Sequence, residues 1–122
     1  MVRIGVVGSR RHPNKQQVLD YITSLPKDAH IVTGGAKGVD TWAMQAAFDN
    51  GLGLTVIYPK ITEGMAYGDM VKEYYARNKK IVEDSEKIVA FVMPDRKGGT
   101  ENTIKWAKKL GKEITIIYPE ET

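Results

Sequence analysis

The sequence predicts an α/β domain, a mainly parallel five-stranded sheet with helices on both faces. Three observations lead there. Five short runs rich in Val and Ile recur, most of them continuously apolar, as strands buried on both faces are. Segments of helical period separate these runs. Glycine and polar residues follow the runs on one rim, whereas turns such as "LPKDA" and "LGKE" fall on the other.

Each element has its own pattern. Val2–Val7 is the first strand, followed by "GSRRHP". Val18, Tyr21, Ile22 and Leu25 form a helical stripe that Pro13 starts and Pro26 stops. His30–Thr33 is the second strand, and "GGAKGVD" leads from it into the stripe Val39, Ala43, Ala46, Ala47 and Asn50, closed by Asn50-Gly51. Leu54–Tyr58 is the third strand. After "PKITEGMAYGD" comes a third stripe, Val71, Tyr74, Asn78, Ile81 and Val82. Lys87–Val92 and "PDRKGGTENT" precede a fourth helix, in which Ile104, Ala107 and Lys108 run toward Gly111, and Glu113–Tyr118 is the fifth strand. Strands and helices alternating in this way, with right-handed crossovers, describe one Rossmann-like domain over residues 1–122.

Composition narrows the function. The 122 residues suit one domain with an ordinary core, and the absence of cysteine excludes disulfides, thiolate metal sites and thiol nucleophiles. No apolar run approaches the roughly 20 residues that span a bilayer, and "MVRIGVVGS" lacks the layout of a signal peptide, so the cytoplasm is the expected location. The net charge of +3 is mild. Lys105, Lys108, Lys109 and Lys112 read as a solvated helix face rather than a dense nucleic-acid footprint. His12 and His30 stand alone without metal-ligand spacing, so neither a metal nor a cofactor is expected.

Ligands of open α/β sheets bind beyond the carboxyl ends of the strands, which directs attention to the glycine turns. Gly34, Gly35 and Gly38 open the second helix, and Gly98 and Gly99 lead into Thr100, a good N-cap for the fourth. Each turn taken alone serves as a tight strand-to-helix connection. Taken together with Gly8-Ser9-Arg10 they form an anion site of backbone amides, with Arg10 and Lys37 as charge partners. The turn "GGAKGVD" matches the dinucleotide fingerprint only in part, since Thr33 stands where a glycine is needed, and it is not a Walker loop. Asp40 reads either as a carboxylate favoured by the helix macrodipole or as an acceptor for a ribose hydroxyl. Asn78 falls on an inward-facing position with Arg77 beside it, either tying down a loop or contacting ligand. Trp42 and Trp106 read as packing residues, with Trp42 near enough to the glycine loop to stack on a base.

"GSR", "TGGAKGVDTWA", "ARN" and "GGTENTI", in that order, resemble the SLOG superfamily of Rossmann-like domains. That group includes YspA- and YpsA-type proteins, the lonely guy phosphoribohydrolases and the DprA-type DNA-processing domain. The resemblance covers nearly the whole chain and implies a nucleotide or nucleotide-derived ligand across the glycine loops. It also implies two alternatives, an N-glycoside or phosphoester hydrolase and a single-stranded DNA binder. The phosphoribohydrolases carry P-G-G-x-G-T-x-x-E, and Arg77 matches their helix arginine. Thr103 fills the glutamate position here, after Asn102. Glu101 lies about 200° round the helix from it, leaving Arg77 and Glu101 as weak catalytic candidates. DNA is disfavoured by the mild charge and by the lack of a basic, aromatic groove in the sequence.

Assembly has its own signature. With Val39, Ala43, Ala46, Ala47 and Asn50 set toward the core, Met44 and Phe48 fall roughly 100° and 140° away, which predicts a homo-oligomer that covers both.

Overall fold

The computed structural model describes residues 2–120. Its elements are β1 (Arg3–Gly8), α1 (Lys15–Thr23), β2 (His30–Thr33), α2 (Val39–Asp49), β3 (Gly53–Val56), α3 (Tyr67–Glu83), β4 (Lys87–Phe91), α4 (Gly99–Lys109) and β5 (Glu113–Ile117). The five strands form one parallel sheet in the order β3-β2-β1-β4-β5. The expected α/β fold with helices on both faces is therefore present.

The pleat divides the apolar runs between two layers. Ile4, Val6, Ile31, Val89 and Phe91 pack with α1 and α2. Val7, Val32, Ile88, Ala90 and Val92 pack with Ile81, Val82, Ile104 and Ala107 of α3 and α4. Phe91 is wholly buried, and Tyr21 and His12 meet its ring edge-on.

Several boundaries differ from those expected. Continuous apolarity marks a central strand in β1, β2 and β4, but β3 and β5 are sheet edges and only partly covered. β3 begins at Gly53 and stops at Val56, short of Tyr58, because its neighbour β2 ends at Thr33, the residue that pairs with Val56. Pro13 does not start α1. Asn14 caps it, its side chain accepting from the Gln17 amide at 3.0 Å. Nor does Thr100 cap α4. Gly98 holds that position at φ 112° and ψ −173°, a conformation closed to side-chain-bearing residues, and Thr100 lies within the first turn.

Sheet order locates the site. β2 and β3 lie to one side of β1, β4 and β5 to the other. The chain reverses direction across the sheet between β1 and β4, where such folds open a crevice beyond the strand ends.

Candidate functional site

β1 ends at Gly8, where a Cβ would stand 2.6 Å from Val39 Cβ, so glycine lets α2 start directly against the strand. The next turn closes on itself, with the Arg11 amide donating to Ser9 Oγ at 3.1 Å. Ser9 is thus engaged as a turn residue. Arg11 Nη2 then donates to both carboxylate oxygens of Asp95, at 2.8 and 2.9 Å, which ties the loop after β1 to the loop after β4. The same bond holds the Asp95 carboxyl below its ordinary range.

The loop after β2 is clamped by the helix it opens. Gly35 and Gly38 have φ of 71° and 81°. Asp40, 5% exposed, turns Oδ2 back onto the Ala36 amide at 3.2 Å, and Thr41 Oγ1 donates to the Ala36 carbonyl at 2.8 Å. Burial pushes the Asp40 carboxyl up to about 6, although the Ala36 and Gly34 amides, Arg77 and Arg10 all favour its charged form. Desolvation outweighs them. Burial also lowers the Arg77 guanidinium from its usual value, with Asp40 opposing.

α3 supplies the crosspiece between the two glycine loops. Arg77 Nη1 donates to the Gly34 carbonyl at 2.6 Å and Nε to Asn78 Oδ1 at 3.0 Å. Asn78 Nδ2 donates to Asn102 Oδ1 at 3.1 Å and reaches the Gly99 carbonyl at 3.5 Å. Gly34 needs its bare Cα here, because a Cβ would stand 2.7 Å from Arg77 Nη1. Among the readings left open for Asn78, loop anchoring is the one its hydrogen bonds display.

These parts enclose a cleft of about 430 Å³. Of the residues singled out in the sequence, Gly8, Ser9, Arg10, Asp40, Arg77, Asn78, Gly98, Gly99 and Thr100 line it. Gly34, Gly35 and Lys37 line an adjoining hollow of about 260 Å³ instead. Gly38 lines neither, its tight fit being against Arg10, whose Cα would lie 3.2 Å from an added Cβ. Glu101 is also outside both, held at 2.9 Å by Arg96 Nε and Nη2. Thr103, at the position of the missing glutamate, is buried and does line the cleft. Trp42 packs against the α1–α2 core and Trp106 lies beneath Lys79 and Lys109, so neither indole reaches the site.

Folding also gathers residues that the linear reading did not assign to a site, among them Tyr74, which it placed in an apolar stripe. Tyr67, Tyr74 and Tyr75 of α3 line the cleft together with Arg11 and Lys97. The tyrosines recur at seven- and eight-residue spacing on one helix, a pattern visible in the sequence. The cations are not visible as a group, because Arg10, Arg11, Arg77 and Lys97 come from three separate segments. The fold thus brings to one cleft cationic and aromatic side chains that are scattered in the sequence, with Arg11 paired to Asp95 and Asp40 in the same lining.

A parallel sheet of this order, with glycine-opened helices after β2 and β4, defines a Rossmann-like domain. The chain belongs to the DNA recombination-mediator protein A family, whose model matches residues 1–68. That match takes in β1 to β3, and so Gly8 through Asp40, and reaches Tyr67, while the rest of the walls from α3 and α4 lies beyond it. The X-ray structure of DNA processing protein A (DprA) from Streptococcus pneumoniae is similar, with a TM-score of 0.79 at 22% identity. The likeness, which at this identity concerns the fold, covers 99% of this chain and 51% of that one, so the chain spans about half the length of that protein. No curated protein matches the chain. Among the described residues, no helix is long and apolar enough to cross a membrane.

Proposed function

We propose that the cleft binds a nucleotide or nucleotide-derived ligand through its phosphate. One observation carries this reading: the N-terminus of α4 at Gly98, Gly99 and Thr100, not capped by a side chain, and the first turn of α2 at Asp40 both border one cleft that Arg10 and Arg77 also line. Helix N-termini present amide donors and positive dipole ends, and in a shared cleft their attraction for an anion adds. The tyrosines of α3 supply apolar and stacking surface for a base, and the cleft volume falls in the range of small-molecule sites. Asp40 is the carboxylate in the lining, and it already accepts the Ala36 amide. With Glu101 bound to Arg96 outside the cleft, the site is read as one that holds its ligand intact.

A second reading has the same nucleotide unit within single-stranded DNA. Four cations and three tyrosines around one opening favour it, as does the family to which the chain belongs.

Arg10 is the residue to test, since it is exposed and, among the described residues, engaged in no ion pair. Arg10→Ala is expected to keep the fold and weaken binding of AMP or dTMP by about tenfold in calorimetry, the scale of one charge-assisted contact. For oligo-dT the same change is expected to flatten the salt dependence by about one phosphate contact. Mass spectrometry of the titrated mixture is expected to recover intact nucleotide. Unchanged affinity for every probe in Arg10→Ala would overturn the phosphate reading, and release of free base would overturn the binding-only reading.

A further inference from the structure

The hollow adjoins the cleft, and both are walled by Arg10, Ala36, Tyr74 and Arg77. Arg10 and Arg77 thus form a cationic saddle at the boundary of the two spaces, with the Asp40 carboxylate on the cleft side. The far wall of the hollow is unlike that of the cleft, being built from Lys37, Tyr58 and Pro59. Tyr58 has a prepared seat. A Cβ on Gly35 would stand 2.5 Å from Tyr58 Cε1, so the glycine that makes the turn also admits the ring. One edge of that ring is held while the residue stays 62% exposed. A large aromatic fixed beside a cationic saddle is a surface on which a base stacks.

We infer that the site takes two phosphate-linked nucleoside units, the first in the cleft, the linking phosphate at the Arg10–Arg77 saddle, and the second base on Tyr58 beside Lys37. The inference rests on the nucleotide reading of the cleft and extends it to ligand size. A free dinucleotide and two successive residues of a single strand share this chemistry.

Calorimetry on the full chain distinguishes the cases, with AMP and dTMP as mononucleotides, their 5′-phosphorylated dinucleotides pApA and pTpT, and octathymidylate. A dinucleotide is expected to bind at least about tenfold tighter than its mononucleotide, the scale of one stacked base and one shared phosphate. Tyr58→Ala is expected to remove that excess while leaving mononucleotide affinity as it was, and Tyr58→Phe to retain it. Equal affinity for one and two units, or a Tyr58→Ala that weakens both alike, overturns the inference while the cleft reading stands. Failure of all probes to bind overturns both readings. Given the dinucleotide preference, an octamer that binds no tighter than pTpT assigns the site to free dinucleotides, and a tighter one to a strand.

Discussion

Asp40 shows how one side chain trades stability for a placed charge. Its carboxyl titrates near 6 in the fold against 3.8 ordinarily, so between those values the folded protein keeps a proton that the unfolded chain has lost. Stability therefore falls as pH rises through this window, and the loss, on the order of 3 kcal/mol, persists at neutral pH. Asp40→Asn imitates the protonated state and keeps an acceptor for the Ala36 amide. The variant is expected to match the parent in urea unfolding near pH 4 and to exceed it at pH 7.5. A stability difference that does not change between those pH values would show that Arg77 and the loop amides fully offset burial. Nothing local to "GVDTW" announces this behaviour, because the burial follows from the folded surroundings and Arg77 arrives from α3, far along the chain.

Among elements, the turn that opens α4 holds two adjacent glycines that look alike in sequence and differ in what they require. Gly98 sits at φ 112° with open space where a Cβ would go, so Gly98→Ala is strained by backbone alone, at a cost of about 1–3 kcal/mol. Gly99 has neither a positive φ nor a neighbour within 4 Å. Gly99→Ala is expected to be neutral or to stabilise by up to about 1 kcal/mol. Denaturant midpoints of the two variants should separate accordingly, and equal loss from both would contradict this division. The paired glycines were readable as a turn, but which of them bears the strain follows from loop conformation, which composition does not encode. The same contrast holds along the strands. β1, β2 and β4 were legible from continuous apolarity because each is flanked by strands and covered by helices. β3 and β5 were located by their runs, yet their edge positions depend on pairings between distant segments. Arg11–Asp95 and the clustering of cations around the cleft were hidden for the same reason, whereas the spacing of Tyr67, Tyr74 and Tyr75 was open to view.

For the molecule as a whole, the outer face of α2 bears on assembly. Met44 is half-buried within the chain, while Phe48 is 81% exposed. We propose that a second copy covers Phe48 in a self-complementary contact. Sedimentation is expected to show a dimer or larger species that Phe48→Glu shifts toward monomer. A parent that sediments as a monomer at tens of micromolar would end this proposal.

The crosspiece of Arg77 and Asn78 joins loops that belong to opposite halves of the sheet, one after β2 and the other before α4. No local segment holds the cleft by itself, so partial opening of either half dismantles it. A ligand must then act on the cooperative unit rather than on a loop. At a hundredfold excess over its Kd, it is expected to slow amide exchange at the most protected positions of the central strands by the full linkage energy, about 2.7 kcal/mol. Slowing confined to the glycine turns would mean that the two halves open independently. Occupancy of the rim is thereby transmitted to the middle of the sheet, and the protein's lifetime against global opening becomes a measure of how much ligand surrounds it.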